Sequence, residues 1–315
     1  MTDAVTLLQK VDTTLAQIAA NGLLEPEEAK KFIRLAIQDP VMLSTVNVMT
    51  MGAPRKQIPK SRFAGRVMRA GVEATALGVA DRVAPDLSQI ELVTQLYKAE
   101  TRLSDEAAED QIEGGQFIGT IRAQLTEAMG RDLEHIAINS DDATVVIDQE
   151  TLLLSLQDGW LIRAGANLVA AGGVALDTDV LRDLRLAMPS EFRRDARKLR
   201  YYTNDGTVLR FMDSQGQRLT PEGDRVQRGQ GAFQGYMNVG LVEVPLFPTA
   251  LGVGANETQV LLSDPANLVF GIQRQIKLEA DRDKHAGVVS LIASVRAAIH
   301  IIEDTATARA DAVLA

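Results

Sequence analysis

The segment LLSDPANLVFGIQRQIKLE, residues 261–279, joins a short polar turn to a run of alternating apolar and polar residues. From residue 268 to 278 the even positions are apolar, and Arg274 is the one interruption of that series. The members of the series are Leu268, Phe270, Ile272, Ile276 and Leu278. Because successive side chains of a strand point to opposite faces, the pattern predicts a β-strand with one apolar and one polar face. Pro265 and Asn267 predict a reversal of the chain just before this strand.

A second alternating segment, VVSLIASVRAAIHII, occupies residues 288–302 and places apolar side chains on its odd positions. As a strand, this segment would extend roughly 50 Å at about 3.3 Å per residue. A helix is the competing interpretation, since alanine is frequent in the segment. The strand interpretation predicts a long antiparallel hairpin with the strand that starts at residue 268.

A long amphipathic helix is predicted between residues 105 and 137. In QFIGTIRAQLTEAMGRDLEHIAI, residues 116–138, apolar side chains recur every three or four positions, as on one face of a helix. This helix should rest on the sheet, so that Ile121, Leu125 and Met129 face Phe270, Ile272 and Ile276.

Five further segments have local signals of structure. Residues 2–21 and 25–39 show approximately helical spacing of apolar residues and predict two short N-terminal helices. Residues 177–195 predict a helix with Asp177 as its cap and Pro189 as a kink or break. The segment KLRYYTNDGTVLRFMD, residues 198–213, predicts two strands joined by a hairpin turn at Asn-Asp-Gly, and residues 214–235 predict a loop.

The strongly basic stretch MGAPRKQIPKSRFAGRVMRAG, residues 51–71, contains no acidic residue. Together with IELVTQLYKAETRL, residues 90–103, it predicts a two-stranded excursion that returns to the body of the protein. Its cations are Arg55, Lys56, Lys60, Arg62, Arg66 and Arg69. Three interpretations remain open: contact with nucleic acid, a solvated run of charge, or contact with an adjoining subunit. The last is favoured, with the acidic start of the long helix as the partner surface, namely Asp105, Glu106, Glu109 and Asp110.

The composition excludes several kinds of site. The chain has 315 residues, and 33 Lys and Arg against 42 Asp and Glu give a net charge of −9. Such an acidic chain is a poor general binder of nucleic acid, because phosphate contacts rely on cations. The absence of cysteine excludes disulfides, thiolate nucleophiles and zinc–thiolate sites. The N-terminus lacks the apolar core of a signal peptide, and no apolar run approaches the roughly 18 residues of a membrane span.

No catalytic or ligand-binding motif stands out in the sequence. The three histidines are scattered, and the pair Asp141-Asp142 is interpreted as an exposed turn rather than a cation site. The sequence therefore predicts no catalytic residue, no cofactor and no metal site. Catalytic residues can be distant in sequence, so an enzyme is disfavoured rather than excluded.

The order of these elements resembles the tailed-bacteriophage major capsid protein family, which has the Hong Kong 97-type fold. The most specific match is the Leu-Leu-x-Asp-Pro-x-Asn-Leu turn that leads into the alternating strand at residue 268. The resemblance implies an α+β fold, with a spine helix on an antiparallel sheet, an extended loop and a second, strand- and loop-rich axial domain. The implied parts are an N-terminal arm (1–50), an extended loop (51–100), a peripheral domain in two pieces (101–195 and 254–315) and an axial domain (196–253).

The same resemblance implies a structural function. Subunits would form pentamers and hexamers of an icosahedral shell, with portal, scaffolding and decoration proteins as further partners. The shell would enclose double-stranded DNA without sequence-specific binding, would not involve a membrane, and would be assembled in the bacterial cytoplasm and found in the virion. Two alternatives are an encapsulin-like shell protein, which has the same fold, and an α+β metabolic enzyme.

Overall fold

The computed structural model describes residues 40–63, 65–71, 73, 75–104, 106, 117–217, 235–252 and 254–315. The predicted N-terminal helices and most of the loop predicted over 214–235 lie outside the described residues. The strands are β1 (Asn47–Thr50), β2 (Arg55–Arg62), β3 (Asp86–Val93), β4 (Gln95–Ser104), β5 (Leu168–Ala175), β6 (Arg200–Thr203), β7 (Gly235–Tyr236), β8 (Val239–Glu243), β9 (Glu257–Ser263), β10 (Leu268–Asp283), β11 (Val288–Ile301) and β12 (Thr307–Leu314). The α-helices are α1 (Phe117–Asn139), α2 (Gln149–Leu154), α3 (Trp160–Arg163), α4 (Thr178–Ala187) and α5 (Asp205–Gly216).

The two alternating segments form the antiparallel hairpin β10–β11, as predicted. A single turn of 3₁₀-helix, Pro265–Asn267, precedes it, and the Asp264 carboxylate accepts a hydrogen bond from the backbone N–H of Ala266. The helix interpretation of residues 288–302 is therefore wrong. In β11 the odd positions from 291 to 301 are all buried, because they form the apolar face of the sheet.

Arg274 interrupts the alternation because the hairpin contains two irregularities of register, one on each side of it. Ile272 lies opposite Ala297, but Arg274 lies opposite Arg296, so one residue of β10 is unmatched between the two pairs. One extra residue moves the following side chains to the other face of the sheet. A second extra residue before Lys277 reverses this shift, so that Leu278 lies opposite Ala293 on the apolar face.

A four-stranded sheet in the order β1-β10-β11-β4 supports the long helix α1. β10, β11 and β4 are antiparallel, whereas β1 pairs with β10 in parallel, so the sheet is mixed rather than wholly antiparallel. Helix α1 has 23 residues and a length of about 35 Å. Met129 packs in one core cluster with Phe270, and the partly buried Leu125 and Ile276 lie against that cluster, which confirms the predicted contact. Ile121 instead contacts a smaller cluster that contains Leu291.

A six-stranded sheet in the order β5-β12-β9-β6-β8-β7 forms the second part of the fold. Helices α4 and α5 contribute buried residues to its core, including Leu181 and Phe211. Asp177 caps α4 as predicted, because its carboxylate accepts the N–H groups of Asp179 and Val180. The sheet takes strands from three of the ranges predicted as domains, 101–195, 196–253 and 254–315, so those boundaries do not follow sheet membership.

The predicted hairpin around residues 204–206 is wrong, since β6 ends at Thr203 and α5 begins at Asp205. The Asn204 side chain caps this helix by accepting the N–H of Gly206 at 2.9 Å. An Asn-Asp-Gly sequence suits either a hairpin turn or a helix start. Burial decides between them, because Val208 and Phe211 both reach the core from one face of the helix.

Candidate functional site: a projecting basic ribbon

Among the strands that the structure describes, β2 and β3 pair only with each other and form a two-stranded antiparallel ribbon, here called the ribbon. Their register runs from Arg55 opposite Val93 to Arg62 opposite Asp86. Residues 63–85 join the strands and are called the tip. Within the described residues of the tip, the regular structure is one turn of 3₁₀-helix, Val79–Asp81. The two-stranded excursion predicted from the sequence is confirmed, and the segment 90–103 is divided at Thr94 between β3 and β4.

The base of the ribbon is anchored on the face of the four-stranded sheet that does not carry α1. Leu92 and Met51 are buried there in a small cluster with Val269 and Ala298. Gly271 makes this close packing possible, because a Cβ atom at that position would lie 2.6 Å from the sulfur of Met51. The backbone N–H of Thr94 also donates to the carbonyl oxygen of Pro54 at 2.9 Å, which closes the base.

Four of the six predicted contact cations have partners within their own chain, three of them in β2 and the fourth, Arg69, in the tip. The Lys60 ammonium donates to the carbonyl oxygen of Ile302 at 2.7 Å and pairs with Glu303 at 3.3 Å, and both charged side chains are only 26% exposed. Lys56 donates to the carbonyl oxygen of Thr50 at 3.2 Å, and Arg55 lies 3.6 Å from Glu91 across the ribbon. The partners of Lys60 are distant in sequence and the partner of Arg55 is set by strand register, so local patterns could not indicate them.

Three of the cations, Arg62, Arg66 and Arg69, lie in or beside the tip and are exposed. Arg69 donates to the carbonyl oxygen of Arg66 at 2.9 Å. Neither Arg62 nor Arg66 has an ion pair with any residue that the structure describes. Exposed apolar side chains accompany these charges, and Met68 is 90% exposed. Exposed cations beside large exposed apolar side chains are characteristic of a surface that another molecule covers.

The predicted acidic partners are described only in part. Asp105, Glu109 and Asp110 lie outside the described residues, and Glu106 is exposed. The ion pairs that the ribbon forms within the described chain go to Glu91 and Glu303 instead. A contact between the basic and acidic sets on adjoining subunits remains a prediction.

A buried carboxylate that the sequence did not single out fixes the segment before β1. Glu134 of α1 is almost fully buried, and its carboxylate accepts the backbone N–H groups of Val41 and Met42. Burial raises the pKa of Glu134, while these backbone hydrogen bonds act in the opposite direction. A lone Glu beside an apolar stripe was the available signal, but its partners lie 92 and 93 residues away.

The pair Asp141-Asp142 forms the turn that the sequence predicted. Asp158 lies beside it, and its carboxylate accepts the N–H of Asp142 at 3.1 Å. Repulsion from the Asp158 carboxylate raises the pKa of Asp142, together with smaller contributions that include Asp141. The hydrogen bond from the Asp142 backbone to the Asp158 carboxylate therefore orders the turn, although both side chains are acidic.

No family model matches the chain. A curated protein, "Putative prophage capsid protein YqbE" of Bacillus subtilis (strain 168), is 28% identical over 281 residues, which are 88% of this chain and 88% of that protein. None of the described helices is long and apolar enough to cross a membrane.

Solved structures of shells share the fold. The capsid of a native GTA particle, computed with C5 symmetry, matches with a TM-score of 0.65 and 14% identity over 94% of this chain and 98% of the other. The SrpI encapsulin of Synechococcus elongatus PCC 7942 matches with a TM-score of 0.59 and 14% identity over 96% and 97%. The predicted α+β, Hong Kong 97-type fold and the resemblance to tailed-phage major capsid proteins are thereby confirmed.

Proposed function

We propose that this chain is the major capsid protein of a tailed bacteriophage, which assembles with its own copies into the icosahedral shell that encloses the genome. The observation that carries this function is the fold, a helix packed on a long hairpin from which a ribbon projects. The same fold covers 94% of this chain in the capsid of a native GTA particle that was computed with C5 symmetry. The prophage capsid relative supports a phage shell in particular.

The ribbon suits a shell better than it suits a monomer. A two-stranded hairpin alone is at best marginally stable in water, and this one buries apolar residues mainly at its base. Its tip carries exposed apolar side chains and cations. A neighbouring subunit that covered the tip would remove this apolar surface from water, so the ribbon favours association.

The charges of the tip give the contact its register. We place Arg62, Arg66 and Arg69 against an acidic surface of the neighbouring subunit that includes Glu106. Asp105, Glu109 and Asp110 belong to the same predicted surface. Because exposed ion pairs contribute only about 0–1 kcal/mol each, they guide association more than they strengthen it.

The proposal includes no catalytic activity and no cofactor, since the capsid-type relatives are structural proteins. Pentamers and hexamers of this chain would form the shell, and portal, scaffolding and decoration proteins would be its further partners. DNA would be enclosed without sequence-specific contacts, in accord with the net charge of −9. Assembly in the bacterial cytoplasm and a final place in the virion follow from this function.

An encapsulin-like shell is the second candidate, because the SrpI encapsulin has the same fold over 96% of this chain. Electron microscopy and sedimentation of the purified protein test both. We expect closed shells, or pentamers and hexamers, at micromolar concentration. A protein that remains monomeric, or that forms one small oligomer with a ligand-sized cleft, would contradict any shell function. Particles from the source organism that are filled with double-stranded DNA would identify a phage capsid, whereas DNA-free particles filled with protein would identify an encapsulin.

The charges of the tip are tested by the double substitution Arg62→Glu and Arg66→Glu. We expect an unchanged far-ultraviolet circular dichroism spectrum, because both side chains are exposed, but slower assembly or none. The matched control Arg62→Lys with Arg66→Lys retains the charge and should assemble at close to the native rate. Added salt should slow the assembly of the native protein, since it screens exposed charges. Assembly of the Glu variant at the native rate at both low and moderate salt would refute the proposed contact.

A further inference from the structure

An apolar groove lies on the four-stranded sheet beside α1, on the face opposite the anchored ribbon. Its volume is about 400 Å³. Seven of its eight lining residues are apolar, and they come from the segment before β1, from β1, from α1 and from the hairpin. The lining residues are Leu43, Val48, Leu133, Phe270, Ile272, Gln275, Ile276 and Val295.

The groove marks the place where the main core becomes incompletely covered. Near the C-terminal end of α1, Ile136 and Ala137 are fully buried against the sheet. Toward its N-terminal end, Leu125 is only half-buried, as are Ile276 and Leu278 on the facing part of β10. Val48 at the rim is 49% exposed, although it belongs to a strand of this sheet. A further apolar element would complete the cover of this end of the sheet.

The described chain begins beside the groove. Glu134 holds the backbone of Val41 and Met42, and Leu43 lines the groove, so the preceding residues enter beside it. The segment EPEEAKKFIRLAIQD, residues 25–39, ends one residue before the described chain begins at residue 40. At helical spacing it would place Phe32, Ile33 and Ile37 on one side, Lys31 and Arg34 on the other, and Lys30 at the boundary beside Ile37.

We propose that residues 25–39 of the same chain dock in this groove as an amphipathic helix and complete the core between α1 and β10. The short connection from residue 39 to Leu43 keeps the segment at a high effective concentration beside its own groove. A segment from a second copy would have to compete with it. This inference concerns the folding of one subunit and goes beyond the shell function, which can stand or fall separately.

Paired cysteines test the docking in the full chain, because the protein has no cysteine of its own. We expect Ile33→Cys with Ile276→Cys to form a disulfide within one chain under mild oxidation. Lys31→Cys with Ile276→Cys is the matched control and should lose this crosslink, since residue 31 falls on the opposite helical face and a disulfide needs closely placed Cβ atoms. Non-reducing electrophoresis with peptide mass mapping measures both, before any assembly step.

A second variant tests the docking in case one of the cysteine substitutions disturbs the fold. Val48→Asp adds a charge at the half-exposed rim, where the fold itself should tolerate it. With this change we expect a lower crosslink yield and faster amide hydrogen exchange in residues 25–39, with unchanged exchange in β11. Crosslinked dimers in place of crosslinked monomers would overturn the proposal, because they assign the groove to a second copy. Equal crosslinking by Ile33→Cys and Lys31→Cys, or no effect of Val48→Asp on exchange, would also overturn it.

Discussion

The core under α1 and the ribbon use the two faces of one sheet in opposite ways. On the α1 face, Leu133, Trp160 and Phe270 share one extended buried cluster with more than a dozen other side chains. On the other face, the buried part of the ribbon's anchor consists of Leu92 and Met51 with Val269 and Ala298. The first arrangement stabilises the subunit, while the second holds a projecting element at its base and leaves its tip available for contacts. If the tip contacts a neighbouring subunit as proposed, stability and association use different faces of the sheet.

The largest effect is expected in the core. Leu133→Ala should lower the free energy of unfolding by about 2–5 kcal/mol, because a buried side chain is removed and a cavity is left. The matched control Leu186→Ala, on the exposed face of α4, should change it by less than about 0.5 kcal/mol. Denaturant unfolding followed by circular dichroism measures both variants. Equal effects would show that α1 does not carry the core.

The anchor of the ribbon should respond locally. Leu92→Ala removes the main buried side chain of β3 and should lower the free energy of opening the ribbon by about 2–5 kcal/mol. Hydrogen exchange should then be faster in β2 and β3 but unchanged in β10 and β11. Leu87→Ala in the same strand is the control, since Leu87 is 74% exposed. Faster exchange throughout the sheet would mean that the two faces are not independent.

A pH titration should act on both faces of the sheet. Burial lowers the pKa of His135 in α1 and of His300 in β11, and the charge of Lys60 in the ribbon also lowers the pKa of His300. His300 pairs with Val269 and therefore lies on the ribbon face. A folded-state pKa below the unfolded value means that stability is present above about pH 6.5 and is lost as the pH falls through that value. The loss cannot exceed about 1.4 kcal/mol per pH unit for each histidine.

The double variant His135→Gln with His300→Gln tests this assignment. Unfolding free energies measured near about pH 7.5 and about pH 5.5 should differ less in the variant than in the native protein. Exchange rates in the ribbon, corrected for the intrinsic effect of pH, should not depend on the single substitution His135→Gln, since His135 lies on α1. A native pH dependence that the variant retains in full would assign it to other groups.

The smallest effect is expected for the charged contact that Lys60 of the ribbon makes just after β11. Lys60→Met removes the contacts to Ile302 and Glu303. It should lower the free energy of opening the ribbon by about 0–1 kcal/mol, since the Lys60 side chain is partly exposed. Lys56→Met is the matched control, because Lys56 contacts only a carbonyl of the neighbouring strand in the described chain. Hydrogen exchange in β2 distinguishes the two. A larger effect for Lys60→Met than for Leu92→Ala would make charge, not apolar burial, the principal anchor.

The hairpin β10–β11 could be predicted because its information is local. Strict alternation identified both strands, and even the interruption at Arg274 was visible in the sequence. Its cause was not visible, since the two bulges are defined by the pairing with Arg296 and Ser294 on the other strand. The segment after Thr203 shows the opposite outcome. There, the same Asn-Asp-Gly suits a hairpin or a helix cap, and only the burial of Phe211 selects the helix.

The sequence by itself determined the type of most elements, the long helix on a hairpin and the two-stranded excursion, because helix and strand periodicities are properties of adjacent residues. The capsid-type fold came from the resemblance to a known family. The tertiary structure alone decided that Lys60 pairs with Glu303 while Arg62 and Arg66 stay exposed, that Glu134 holds residues 41 and 42, and that one sheet takes strands from three ranges of the chain. These outcomes depend on contacts between residues far apart in sequence, which form only when the whole chain packs.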